Sequence, residues 1–184
     1  MVELKKISVI GNYPPQQCGI ATFTNDVYSS VQAARPSSDC SVIAISEAYD
    51  SVRHPPEVRF EIARDDPESY ERAAEHLNFA DVSVVSLQHE FGIFGGASGA
   101  HVLGLLRRLR MPAVTTLHTV LRQPSSTQRR VMQELCALSS RLIVMSERGR
   151  AMLCDVYGVP DRKIDLILHG IPDVPFVDPS FYKD

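Results

Sequence analysis

Residues 141–170 read RLIVMSERGRAMLCDVYGVPDRKIDLILHG. A continuous apolar run, 141–145, is followed by Ser146, a residue type whose side chain caps helix N-termini. A helical stretch follows and stops at Tyr157-Gly158-Val159-Pro160, since glycine suits the left-handed turn after a helix and proline cannot continue one. A second apolar run, 163–168, ends in His169 and Gly170. Two strands joined by a helix must lie parallel, because a tight turn reverses the chain and a helical crossover restores its direction. The segment is therefore one β-α-β unit.

The same alternation runs outward to the N-terminus. Apolar runs at 5–11, 41–46, 82–88 and 113–118 read as strands covered on both faces, while 58–62, VRFEI, alternates as an edge strand does. Between them, Ile20, Phe23, Val27 and Val31 form one helical stripe. Asp66-Pro67 caps and opens a helix over 67–78, and further helices are expected over 98–110 and 125–138. The sum is an α/β chain with a single Rossmann-like, doubly wound parallel sheet of about seven strands. Residues 1–170 make up this domain. Residues 171–184, with Pro172, Pro175 and Pro179, read either as a connector toward something else or as an arm lying on the domain.

At 184 residues and 44% hydrophobic content the chain supports one well-buried domain. Its net charge of −3 gives no global field that favours nucleic acid or an anionic membrane. Arg107, Arg108 and Arg110 fall at a helix end, where cations complement the helix dipole. Cys18, Cys40, Cys136 and Cys154 are scattered without a CxxC pair and read as reduced thiols. The first apolar run is too short for a signal sequence or a membrane span, so a cytoplasmic protein is expected.

In a parallel sheet every strand ends at the same edge, so the loops that follow the strands converge there. That rule collects the candidates. The first loop, GNYPPQQCG, stiffened by Pro14 and Pro15, ends at Gly19, where a helix begins. With the N–H groups of Ile20, Ala21 and Thr22 it forms a phosphate seat or else a tight turn. The loop after the fourth strand holds His89 and Glu90, suited to acid–base work, and then Gly92, Gly95, Gly96 and Gly99. His118 leaves the centre of the sheet into the crevice and either touches a ligand or bonds a neighbouring loop. Cys18 reads as a packed thiol rather than a nucleophile, since no histidine lies near it in sequence.

PPQQCGIATFTNDV, LQHEFGIFGG, MPAVTTLHTVL and the segment from Arg141 to Val174 together resemble the N-terminal half of a group 1 glycosyltransferase, the large retaining family with the GT-B fold. The resemblance implies a two-domain enzyme that moves a sugar from a nucleotide-sugar donor to a sugar, lipid or other hydroxyl acceptor. It needs no metal and no cofactor, the nucleotide-sugar being a co-substrate. By the same resemblance Gly19 and Ile20 face the donor diphosphate and His118 contacts the donor sugar. Glu90, beside His118 in the catalytic set, borders the acceptor side with His89, Gly92, Gly95 and Gly96. Many relatives carry two adjacent glycines in the first loop where this chain has Cys18-Gly19. A C-terminal donor-binding domain is expected outside these residues, which leaves the chain nearly inactive alone.

Two other readings compete. One is a non-catalytic binding module that keeps the half-fold. The other is a small metal-dependent hydrolase built on His89, His118 and His169, although no two of these lie close in sequence.

Overall fold

The computed structural model describes residues 4–47 and 54–170. Residues 171–184, and with them the expected connector, lie outside the described residues. Seven strands pair in parallel: β1 (Lys6–Gly11), β2 (Asp39–Ser46), β3 (Val58–Ala63), β4 (Val84–His89), β5 (Ala113–Leu117), β6 (Arg141–Val144) and β7 (Ile164–Leu166). Their order across the sheet is β3-β2-β1-β4-β5-β6-β7, so the alternating segment 58–62 does form an edge. The doubly wound α/β sheet read from the sequence is the fold of the chain.

Five helices connect the strands: α1 (Gly19–Ala34), α2 (Pro67–Phe79), α3 (His101–Arg108), α4 (Ser126–Leu138) and α5 (Glu147–Tyr157). Local chemistry sets most of their ends. Asp66 accepts from the Glu68 N–H at 3.0 Å, and Ser146 accepts from that of Gly149 at 3.1 Å. Ser125 and Gln128 exchange reciprocal bonds at the start of α4. Gly158 closes α5 at φ 72°, its N–H reaching the carbonyls of Leu153 and Cys154. Arg107 and Arg108, in the last turn of α3, also pair with Glu134 and Glu71.

Two expectations about helices need correction. The third helix does not run from 98: a 3₁₀ turn, Ala97–Gly99, comes first, because Ser98 (φ 58°) and Gly99 (φ 76°) leave helical space. The stripe of α1 is also displaced, since Ala21 and Thr24 are its buried residues while Ile20, Phe23, Val27 and Val31 are half-buried. Gly11 is the cause. A Cβ at that position would meet Thr24 Oγ1 at 2.7 Å and Gln88 Cβ at 3.1 Å, so its absence lets Thr24 of α1 and Gln88 of β4 close in on the end of β1. Helices α2 to α5 pack in series and share one core with the sheet. Right-handed crossovers place α1, which moves the chain the opposite way along the sheet, on the other face.

Candidate functional site

The chain leaves β1 toward β2 on one side and returns to β4 on the other, so the loops after β1 and β4 part at a switch point. Crevices of parallel sheets form there. The β1–α1 loop is anchored by Tyr13, whose buried hydroxyl lies 2.9 Å from both Asn25 Oδ1 and Glu57 Oε1. Burial, then the Glu57 carboxylate, pushes the phenol well above its ordinary range, so it stays neutral. The Pro14–Pro15 peptide is cis.

Cys18 is exposed and is not the packed thiol expected. Its sulfur caps α1, accepting from the Ala21 N–H at 3.4 Å and the Asn12 amide at 3.5 Å. The Thr22 N–H is held by the Cys18 carbonyl at 3.2 Å. Of the N–H groups grouped around Gly19, those of Gly19 and Ile20 are thus left without an acceptor among the described residues. A Cβ built on Gly19 would meet nothing within 4 Å, so no packing contact demands a glycine there.

His118 stands beside this turn. Its Nε2 lies 3.1 Å from Gln88 Oε1, and its ring meets Phe23 of α1 edge-on at 4.7 Å. His169 flanks the same Phe23 at 5.3 Å. Burial, reinforced by His169, lowers the His118 pKa to about 4, so the ring is neutral at pH 7. With Nε2–H given to Gln88, Nδ1 is left as the accepting nitrogen. Gln88 was missed in the sequence because it reads there only as the polar interruption of a strand.

Neighbouring residues on a strand point to opposite faces, so Gln88 and His89 diverge. His89 lies 0% exposed on the far face, stacked on Phe94 at 5.6 Å and edge-on to Phe91 at 5.2 Å. Neither ring nitrogen has a partner among the described residues, and burial lowers its pKa to about 3. His89 is therefore not brought to the crevice, nor does it converge with His118 and His169. Among the described residues no group of three His, Cys, Asp or Glu side chains is placed to hold a metal, which removes the basis of the metal-hydrolase reading.

Glu90 is half-buried and fully engaged. One oxygen accepts from the Phe91 N–H at 3.0 Å, and the other takes the Thr119 hydroxyl. It ties the loop after β4 to the loop after β5. Thr119, next to His118 in sequence, drew no attention because hydroxyls are common at strand ends. The glycines divide: a Cβ at Gly95 would meet Arg64 O at 2.0 Å, and one at Gly96 (φ 79°) the His101 ring at 2.6 Å, so packing explains both. Gly92 has open space above it.

Beside the β1–α1 loop lies a cavity of about 450 Å³ walled by Asn12, Gln16, Cys18, Ser46, Glu47 and His54. The site thus joins a helix N-terminus with free N–H groups, a tethered neutral histidine and a polar hollow, all at the switch point of a parallel sheet. Sites of this kind take anionic nucleotide ligands.

The chain belongs to Glycosyltransferase Family 4, whose pattern matches residues 26–173, and it is a GT-B glycosyltransferase domain. Its fold is similar to that of the lipopolysaccharide outer core galactosyltransferase WaaB in its apo form, with a TM-score of 0.64 and 10% identity over 90% of this chain and 46% of that one. A glycosyltransferase from Rickettsia africae ESF-5 gives 0.58 and 13% identity over 91% and 44% of the two chains. An alpha-glucosyltransferase in complex with UDP and a mismatched 13-mer DNA gives 0.50 and 11% identity over 78% and 38%. At such identities the likeness is one of fold, and the chain spans less than half the length of each of these structures. No curated protein sequence matches it. No helix among the described residues is long and apolar enough to cross a membrane.

Proposed function

We propose that this chain is the acceptor-side half of a transferase that moves a sugar from a nucleotide-sugar to a hydroxyl acceptor with retention. The observation that carries the reading is the free first turn of α1: N–H groups at Gly19 and Ile20 unpaired among the described residues, and space above Gly19 that none of those residues fills. Cleaving a sugar–phosphate bond leaves negative charge on the departing diphosphate. A helix N-terminus fixed in advance stabilises that charge without reorganising during the reaction.

His118 serves the same step from the side. Neutral, and oriented by Gln88, it accepts a hydroxyl of the transferring sugar at Nδ1, which fixes the anomeric carbon relative to the leaving phosphate. Glu90 acts as a positioning residue, holding Thr119 and so the loop that carries His118. UDP is the first nucleotide to try, since one of the similar structures holds it.

In this reading the donor's remaining contacts come from a second half, a reading supported by the chain's spanning less than half of each similar structure. Transition-state binding is split between the halves, so the chain alone is nearly inactive. Release of free nucleotide from a panel of UDP- and GDP-sugars, assayed with a monosaccharide acceptor mixture, tests this. Turnover near the buffer rate is expected, and robust turnover by the 184-residue chain contradicts the need for a second half.

A further inference from the structure

Two buried polar atoms at the crevice lack partners among the described residues, and they are of opposite kinds. Gln16 Oε1 has no donor there. Arg64 Nε donates to nothing among the described residues: Asp65 Oδ1 lies 4.0 Å from it, and it is the neighbouring Nη1 that pairs with Glu47 Oε1, at 3.4 Å. The backbone holds both residues in place. The Gln16 N–H bonds Tyr13 O at 3.2 Å and the Arg64 N–H bonds Ser46 O at 2.8 Å, while the Tyr70 hydroxyl donates to Arg64 O at 2.8 Å.

Gln16 and Arg64 line one small cavity of about 30 Å³ whose walls also include Asn12, Ser46, Glu47 and Gly92. That is room for one hydroxyl or one water. This cavity shares Asn12, Gln16, Ser46 and Glu47 with the larger hollow of about 450 Å³, whose size suits a small organic ligand.

A guanidinium N–H only donates and a side-chain carbonyl only accepts. The group that satisfies both at once must accept and donate, as a hydroxyl does. A carboxylate or phosphate oxygen brings no proton for Gln16 and meets the Glu47 carboxylate besides. An ammonium brings no lone pair for Arg64. The outer walls, Asn12, Gln17, Ser46 and His54, add further hydrogen-bonding groups of both senses.

We propose that these joined cavities are the acceptor subsite and that they select a neutral polyhydroxylated acceptor, one hydroxyl of which seats between Gln16 and Arg64. The inference rests on the transferase reading above and names its acceptor class. It adds Gln16 and Arg64 as specificity-determining residues.

Titrating the 184-residue chain with methyl glucoside, methyl galactoside and methyl mannoside, each to about 100 mM, and recording two-dimensional amide NMR spectra tests the proposal. At least one glycoside should shift the amides of Gln16, Ser46, Arg64 and Gly92 saturably. Glucuronate and glucose-6-phosphate, which bring a negative charge beside the Glu47 carboxylate, should bind there more weakly. Gln16→Ala should weaken the glycoside about tenfold at an unchanged melting temperature. No shifts at these amides, equal or tighter binding of the charged sugars, or wild-type binding by Gln16→Ala each overturns the proposal. UDP added to the same sample separates the two readings. Glycoside shifts without any UDP effect at Gly19 and Ile20 refute the donor site and leave this subsite standing, and the converse refutes the subsite alone.

Discussion

His89 and His118 end adjacent strands, yet they differ in what surrounds them. His118 has Gln88 on Nε2, whereas His89 has two aromatic rings and, among the described residues, no polar partner. The buried ring of His89 makes stability depend on pH. Its folded pKa of about 3 lies below the unfolded value, so the unfolded chain takes up the proton first as pH falls below about 6.5. The His89 contribution to stability is therefore flat above that pH and declines below it, by about 1.4 kcal/mol per pH unit. His118 adds a decline of the same sign down to about 4. Urea unfolding at pH 7 and pH 5 should show a smaller loss in His89→Phe than in the parent chain, and identical losses would mean that His89 is not neutral and buried. The sequence placed both histidines at the right edge of the sheet. It could not separate them, because strand alternation decides the face and nothing in GLN-HIS-GLU marks which residue faces the crevice.

Among the elements, α1 tells most about what was legible. Its existence and start were visible in the apolar spacing and in Gly19, but the face it buries is set by Gly11, on another element, and no periodicity within the helix records that contact. Gly11→Ala should cost about 1–3 kcal/mol in denaturant unfolding, because the added methyl would sit 2.7 Å from Thr24 Oγ1. Gly19→Ala should be neutral or stabilising, within about 0.5 kcal/mol, having no atom to meet. Equal effects at the two glycines would contradict the packing described. Ser125→Ala removes the capping box of α4 and should lose about 1 kcal/mol. The strands were read closely because burial on both faces writes itself as an unbroken apolar run. The third helix was drawn too early because Ser98, an ordinary residue in sequence, takes a positive φ that only the folded loop reveals.

For the molecule as a whole, the loops gathered at one sheet edge were legible from topology alone, while their division of labour was not. Gly95 and Gly96 looked like ligand contacts and prove to be demanded by Arg64 and His101. Gln16, Gln88 and Thr119 lie within the stretches that carry the family resemblance and Arg64 outside them, but nothing in those stretches singles out their side chains, whose importance comes from partners on other elements. The central claim is that the free turn at Gly19 and Ile20, with His118 beside it, is the donor-phosphate half of a transferase site. UDP titrated into the chain, with amide shifts followed residue by residue, tests it most directly. Saturable shifts centred on Gly19, Ile20 and His118, abolished by Gly19→Val at an unchanged melting temperature, are the result predicted. Shifts that avoid these three residues, or that survive Gly19→Val undiminished, would contradict it.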